Sequence, residues 1–184
     1  MKNRAVVVVD MQNDFVDGSL GSKEAQAIVP KVIEYVDEAS KDENTLIFFT
    51  QDTHYDEEYL DTQEGKLLPV KHCIVGDPGW KIIDGLQKYI VIEDDRRNVV
   101  RKDAFGSKYL STFMEAYFDD DKVEQIDIVG LCTDICVISN AMILKSEYPE
   151  AKIIVHSSMC AGVTPESHER ALEAMKTCQI FVEE

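Results

Sequence analysis

The sequence predicts an α/β fold of three layers, a doubly wound arrangement around a central six-stranded, mainly parallel sheet. Three observations lead there. Short apolar, β-branched runs alternate with segments of helical spacing along the whole chain. The first run, residues 5–9 (AVVVV), lacks polar alternation, as expected of a strand buried on both faces of a parallel sheet. Strand–helix alternation also implies right-handed crossovers, which cover both faces of such a sheet.

The elements follow in order. After strand 5–9 comes a polar loop containing Gly18 and Gly21. Residues 24–40 have helical spacing, with Ile28, Val32, Ile33 and Val36 on one face; Pro30 predicts that the helix proper starts there. A second strand is expected over 45–50, then a long polar loop over 51–78 without regular structure, the kind of segment that carries function. A short helix over 80–88 and a short third strand at Val99 and Val100 come next, then a helix over 107–118 with Leu110, Phe113 and Tyr117 inward. The fourth strand, 126–129, meets Gly130 and then Thr133-Asp134, a helix-start signal, and a helix is expected over 134–145. A fifth strand over 152–155, a helix from the cap Thr164-Pro165-Glu166 to about Lys176, and a sixth strand over 179–182 complete the chain.

Composition bounds the function. At 184 residues the chain suits one domain, expected to span 1–184, and 45% hydrophobic with 29% charged residues is ordinary globular composition. A net charge of −16 argues against a nucleic-acid backbone as partner. No apolar run approaches a membrane span, and the run after Lys2 and Arg4 is too short for a leader and ends in Asp10. The odd count of five cysteines reads as free thiols in a reducing, cytoplasmic setting. The apolar helix faces permit a homo-oligomer without specifying one.

In an open parallel sheet, ligands bind beyond the carboxyl ends of the strands. Asp10 ends the first strand, Asp52 and His54 follow the second, Lys102 the third and Cys136 the fourth. Cys136, in the first turn of its helix, is either a small buried hydrophobe or a nucleophile whose thiolate the helix N-terminus stabilises. Asp10 either caps loop amides or accepts the thiol proton and delivers it to a leaving amine. Lys102 is either a solvated charge or the ammonium that steadies the thiolate and orients the base. Asp52, His54, Glu64 and His72 are either polar loop residues or ligands for Zn²⁺, with Mn²⁺ or Fe²⁺ as alternatives. Phe15, Leu20 and Phe105, with Leu131 ahead of the nucleophile turn, are candidates to wall an apolar pocket; core packing explains them as well. His156 and His168 read as satisfied structural residues, and Cys73, Cys132, Cys160 and Cys178 lack the spacing of a metal site.

The segments Val9-Asp10-Met11-Gln12-Asn13-Asp14-Phe15, Gln51-Asp52-Thr53-His54, Lys102 and Gly130-Leu131-Cys132-Thr133-Asp134-Ile135-Cys136-Val137, with 165–172 (PESHERAL), resemble the nicotinamidase/isochorismatase-type cysteine hydrolases. The resemblance spans essentially the whole chain in the right order. It implies a catalytic triad of Asp10, Lys102 and Cys136, and a cis peptide at Leu131–Cys132 that presents the backbone N–H groups of Cys132 and Cys136 to an oxyanion. It also implies metal ligation by Asp52, His54 and His72, with Glu64 in the variable fourth position, as in the nicotinamidase branch. The expected activity is metal-assisted, cysteine-dependent hydrolysis of nicotinamide to nicotinate and ammonia through a thioester, in NAD salvage. The alternatives are an amidase of the same family acting on another small amide or ureido compound, and a non-catalytic binding domain on this fold. An isochorismatase-like hydrolase is disfavoured by His54 and His72.

Overall fold

β1 (Arg4–Val9) forms because five consecutive apolar residues with no side-chain competitor for the backbone can be buried on both faces at once. It pairs in parallel with β2 (Thr45–Asp52) on one side and β4 (Gln125–Leu131) on the other. β3 (Val99–Lys102), β5 (Lys152–Ala161) and β6 (Phe181–Glu183) extend the sheet to the order β3-β2-β1-β4-β5-β6, with every pairing parallel. The computed structural model describes residues 2–92, 97–118 and 123–184.

The period-two alternation of β1 divides the core. Ala5, Val7 and Val9 pack with Leu110, Met114, Ala141, Leu144, Leu172 and Met175, residues of α4 (Leu110–Phe118), α5 (Ile138–Glu147) and α6 (Pro165–Thr177). Val6 and Val8 pack on the other face against α2 (Lys23–Ala39), through Ala25, Ile28, Val32 and Val36. Two shorter helices, α1 (Asn13–Val16) and α3 (Gln63–Leu67), lie in the loops after β1 and β2. The result is the three-layer fold expected, with an all-parallel sheet. No helix among the described residues is long and apolar enough to cross a membrane.

Several boundaries differ from expectation. α2 starts at Lys23, where the Ser22 hydroxyl accepts from the Ala25 amide, so Pro30 lies inside the helix. Pro30 is exposed, and water can serve the carbonyl it leaves unpaired. The segment after β2 is partly regular, with a 3-10 turn (Tyr59–Asp61) before α3, capped by Thr62. The helix expected over 80–88 is instead two 3-10 turns, Pro78–Trp80 and Asp84–Tyr89. α4 starts at Leu110, three residues late, because Ser107 uses its amide on the Asn140 side chain. β5 runs well past Val155: the step from Val155 to Cys160 faces the step from Ile128 to Gly130, a bulge that carries the strand past His156 and its serines. β3 extends through Lys102, which is therefore a strand residue in register with Asp52.

The tightest approach in the sheet is at Gly130, which pairs with Val9 at φ +118. A Cβ there would meet the Val9 carbonyl oxygen at 2.1 Å. Gly130→Ala is therefore expected to destabilise the protein by more than about 2 kcal/mol, combining backbone strain with displacement of β1. A urea midpoint equal to that of the parent chain would refute this account.

Candidate active site

The four central strand ends bring ionisable groups to one place. Asp10 leaves β1 at φ 47, a conformation that Asp tolerates better than most side chains, and its carboxylate is wholly buried. The Thr50 hydroxyl, at the end of β2, donates to Asp10 Oδ1 at 2.7 Å, and the Asp10 amide donates back to Thr50 Oγ1 at 3.2 Å. Lys102 Nζ lies 2.7 Å from Asp10 Oδ2, 3.0 Å from Asp52 Oδ1 and 3.5 Å from Cys136 Sγ. The structure thus gathers Asp10, Lys102 and Cys136 within one buried cluster.

Cys136 is not in the first turn of an α-helix, as the sequence suggested. The chain leaves β4 through a cis Leu131–Cys132 peptide and enters a π-helical turn, Thr133–Val137, before α5. In that turn the Val137 amide reaches back to the Cys132 carbonyl at 3.0 Å. Asp134 is no helix cap either; its carboxylate accepts the Val163 amide at 3.1 Å and ties the turn to the β5–α6 loop. Thr133 Oγ1 meets His168 Nδ1 at 2.8 Å, which gives His168 the structural bond expected of it. The buried Asn140 fixes the other side, donating to the Cys136 carbonyl at 2.8 Å and to the Phe105 carbonyl at 3.3 Å.

Burial and neighbours set the protonation states. Burial pushes the Asp10 carboxyl above the usual carboxylate range, with the Lys102 ammonium opposing. Burial and the Asp10 charge push the Cys136 thiol well up, again against Lys102, so the resting sulfur carries its proton. Burial by itself would lower the Lys102 pKa, but the charges of Asp10 and Asp52 outweigh it and keep the ammonium charged. Asp52 is also penalised by burial, yet the His54 and His72 imidazoles beside it, with the Lys102 ammonium, hold it well below the carboxylate range.

Asp52 faces two ways. While Oδ1 meets Lys102, Oδ2 lies 2.9 Å from His54 Nε2 and 3.5 Å from His72 Nε2. The ligand atoms of Asp52, His54 and His72 all lie within 4.8 Å of one another. Glu64, on α3, stands at the edge, its Oε1 3.5 Å from His72 Nε2 and 3.8 Å from His54 Nε2. His54 Nε2 is buried with no well-formed hydrogen bond, and His72 Nδ1 is engaged by the Val70 carbonyl at 2.9 Å, which turns Nε2 inward. Two imidazoles and a permanent anion, oriented this way, fit a divalent cation. Sequence reasoning missed the residue that holds this group: buried Gln12, which donates to the Asp52 carbonyl at 2.9 Å and accepts its amide at 2.7 Å. Its place in the segment after β1 was the available signal. Thr50 and Asn140 were missed too, since neither has a spacing that marks it.

Cys136, Asp52, Glu64 and His72 open into one cavity of about 580 Å³. Phe15, Leu20, Phe105, Leu131 and Cys132 line it, joined by Leu67, Leu68, Ile135 and Val163, which the sequence did not single out. His156 is elsewhere, bonded to Asp127 at 2.7 Å and Tyr35 at 3.0 Å.

The isochorismatase domain model matches residues 4–183, and the chain belongs to that family of hydrolases. It is 26% identical to a nicotinamidase/pyrazinamidase of Mycobacterium tuberculosis over 96% of each chain. It is 29% identical to a probable inactive nicotinamidase of Arabidopsis thaliana, over 95% of this chain and 89% of that one. Among solved structures, pyrazinamidase of Pyrococcus horikoshii in complex with zinc superposes with a TM-score of 0.79 at 26% identity, covering 98% of both chains. These neighbours support the nicotinamidase branch of the family.

Removing the central cation leaves two buried carboxylates facing each other. Lys102→Met is expected to destabilise the protein by about 3–5 kcal/mol, read as a fall in the denaturant midpoint at neutral pH. A variant as stable as the parent would mean that the ammonium is not paired as described.

Proposed function

We propose that the protein is a cysteine-dependent, metal-assisted amidohydrolase that converts nicotinamide to nicotinate and ammonia. The observation that carries this reading is the buried Lys102 ammonium, within 3.5 Å of both Asp10 and Cys136, behind a cavity that Cys136 lines together with Asp52 and His72. Cys136 Sγ attacks the carboxamide carbon as its proton passes to Asp10. The backbone N–H groups of Cys132 and Cys136 receive the oxyanion. The C–N bond then breaks, and Asp10 hands the proton to departing ammonia. Water attacks the thioester with Asp10 again as base, releasing the acid and restoring the thiol. Lys102 stays charged throughout, orienting Asp10 and offsetting negative charge on sulfur. Asp52, His54 and His72, with Glu64 alongside, would hold a divalent ion, Zn²⁺ in the first instance, which would supply a Lewis-acid anchor for the pyridine nitrogen. Five free cysteines support a reducing, cytoplasmic setting.

The test is ammonia release from nicotinamide by metal-loaded protein. Cys136→Ala is expected to lower turnover on the order of a thousandfold or more, and chelation to lower it together with bound metal. Full turnover by Cys136→Ala would end the reading. A non-catalytic binding domain is the second reading, favoured by the Arabidopsis relative named as probably inactive; it requires that neither ammonia release nor alkylation of Cys136 is seen.

The pH profile is a separate check. Below the pKa of Asp10 its carboxyl is protonated and cannot take the thiol proton, so activity is lost as pH falls through that value. Because burial raises it, the acid limb of kcat/KM is expected above the ordinary carboxylate range of about 4. A limb at or below the ordinary value would assign the proton to another group.

A further inference from the structure

The proposed site is larger and more apolar than nicotinamide requires. A single ring and a carboxamide would occupy the inner end, where Cys136, Asp52, Glu64 and His72 meet. The whole cavity, at about 580 Å³, falls in the range of roughly 300–1,000 Å³ that holds much larger ligands. Its outer part has an unusual wall for so acidic a protein. Leu67 on α3, Phe105 in the β3–α4 loop and Val163 in the β5–α6 loop converge there, and they are 77%, 50% and 60% exposed. Their charged neighbours, Lys66, Asp103 and Glu166, do not line the cavity. Three separate segments thus turn an apolar side chain inward to one opening and keep their charges outside it. Apolar surface gathered at one concave mouth marks a binding surface more than scattered exposed residues do.

We infer that this outer wall is a subsite for an apolar substituent, so that the preferred substrates are pyridine carboxamides carrying an alkyl group on the ring. The inference rests on the amidase reading above. The chemistry is unchanged: the amide C–N bond breaks, and water supplies one of the two oxygens of the acid and, in the overall balance, the proton gained by the ammonia. If the ring nitrogen is held toward the Asp52 group and the carboxamide toward Cys136, two alternate vertices of the ring are fixed. Carbon 5 is the third, directed away from both anchors.

The experiment compares kcat/KM for nicotinamide and for its 5-methyl to 5-butyl derivatives, using metal-loaded protein. Each buried methylene is expected to raise kcat/KM about fourfold. In a Leu67→Ser, Val163→Ser double variant the gain should shrink, chiefly through KM. Both positions are exposed, so the substitutions remove apolar contact without opening a core. Turnover of nicotinamide with a flat or falling series would overturn the inference and leave the amidase reading standing. A series that keeps its slope in the double variant would also overturn it. If neither nicotinamide nor any derivative is hydrolysed, the amidase reading fails and the subsite goes with it. A fall in sedimenting mass of the double variant would identify the mouth as a contact between copies of the chain, which also overturns the proposal.

Discussion

One buried ammonium governs the arrangement of this site. Taking Lys102 out of water is unfavourable by several kcal/mol unless close anions compensate, and the fold supplies Asp10 at 2.7 Å and Asp52 at 3.0 Å. Both partners are placed by the backbone. Asp52 and Lys102 are directly paired residues of β2 and β3, while Asp10 follows Val9, whose strand neighbour on the other side is Gly130. Parallel pairing brings all four strand ends to the same edge, so the charges meet without any long side-chain reach. The dependence also runs the other way: without the ammonium, two carboxylates would share a dry pocket, and one would have to take a proton.

The same cation joins two groups of residues that could otherwise be taken as separate sites. The two oxygens of Asp52 divide the labour, Oδ1 toward Lys102 and Oδ2 toward the histidines. Gln12 holds the Asp52 backbone at both its amide and its carbonyl, as a neighbouring strand would, so the carboxylate has little freedom to favour one side. The Asp10, Lys102 and Cys136 cluster and the histidine group are therefore one electrostatic unit.

How far this was legible in the sequence depends on whether a feature is local. The β-branched run of β1 and the residues at the strand ends are local, and they pointed to a doubly wound sheet with ionisable groups at one edge. Pro30 misled because local rules start a helix at proline, whereas an exposed proline within a helix that packs its opposite face costs less than abandoning the Ser22 cap and the burial of Ala25 and Ile28. The π-helical turn under Cys136 misled for a related reason. Thr133-Asp134 carries a cap signature, but Asp134 spends its carboxylate on Val163, a residue distant in sequence. The outer cavity wall was invisible because Leu67 and Val163 look like ordinary exposed residues until three loops are brought together.

Two aspartates of the same intrinsic acidity are shifted in opposite directions, and that difference fits the parts proposed for them. Both are buried. Asp10 has one ammonium and one hydroxyl against its full desolvation, and burial wins, so its carboxyl is pushed up. Asp52 has the same ammonium and two imidazoles as well, so pairing wins and it remains an anion. A carboxylate with a lowered pKa suits a ligand or a fixed counter-charge, and one with a raised pKa suits a proton carrier. The raised thiol of Cys136 is consistent with that division. In the proposed mechanism a sulfur that keeps its proton until a substrate arrives needs a base whose affinity for the proton has been lifted toward its own, and Asp10, joined to Cys136 through Lys102, is the carboxylate so adjusted.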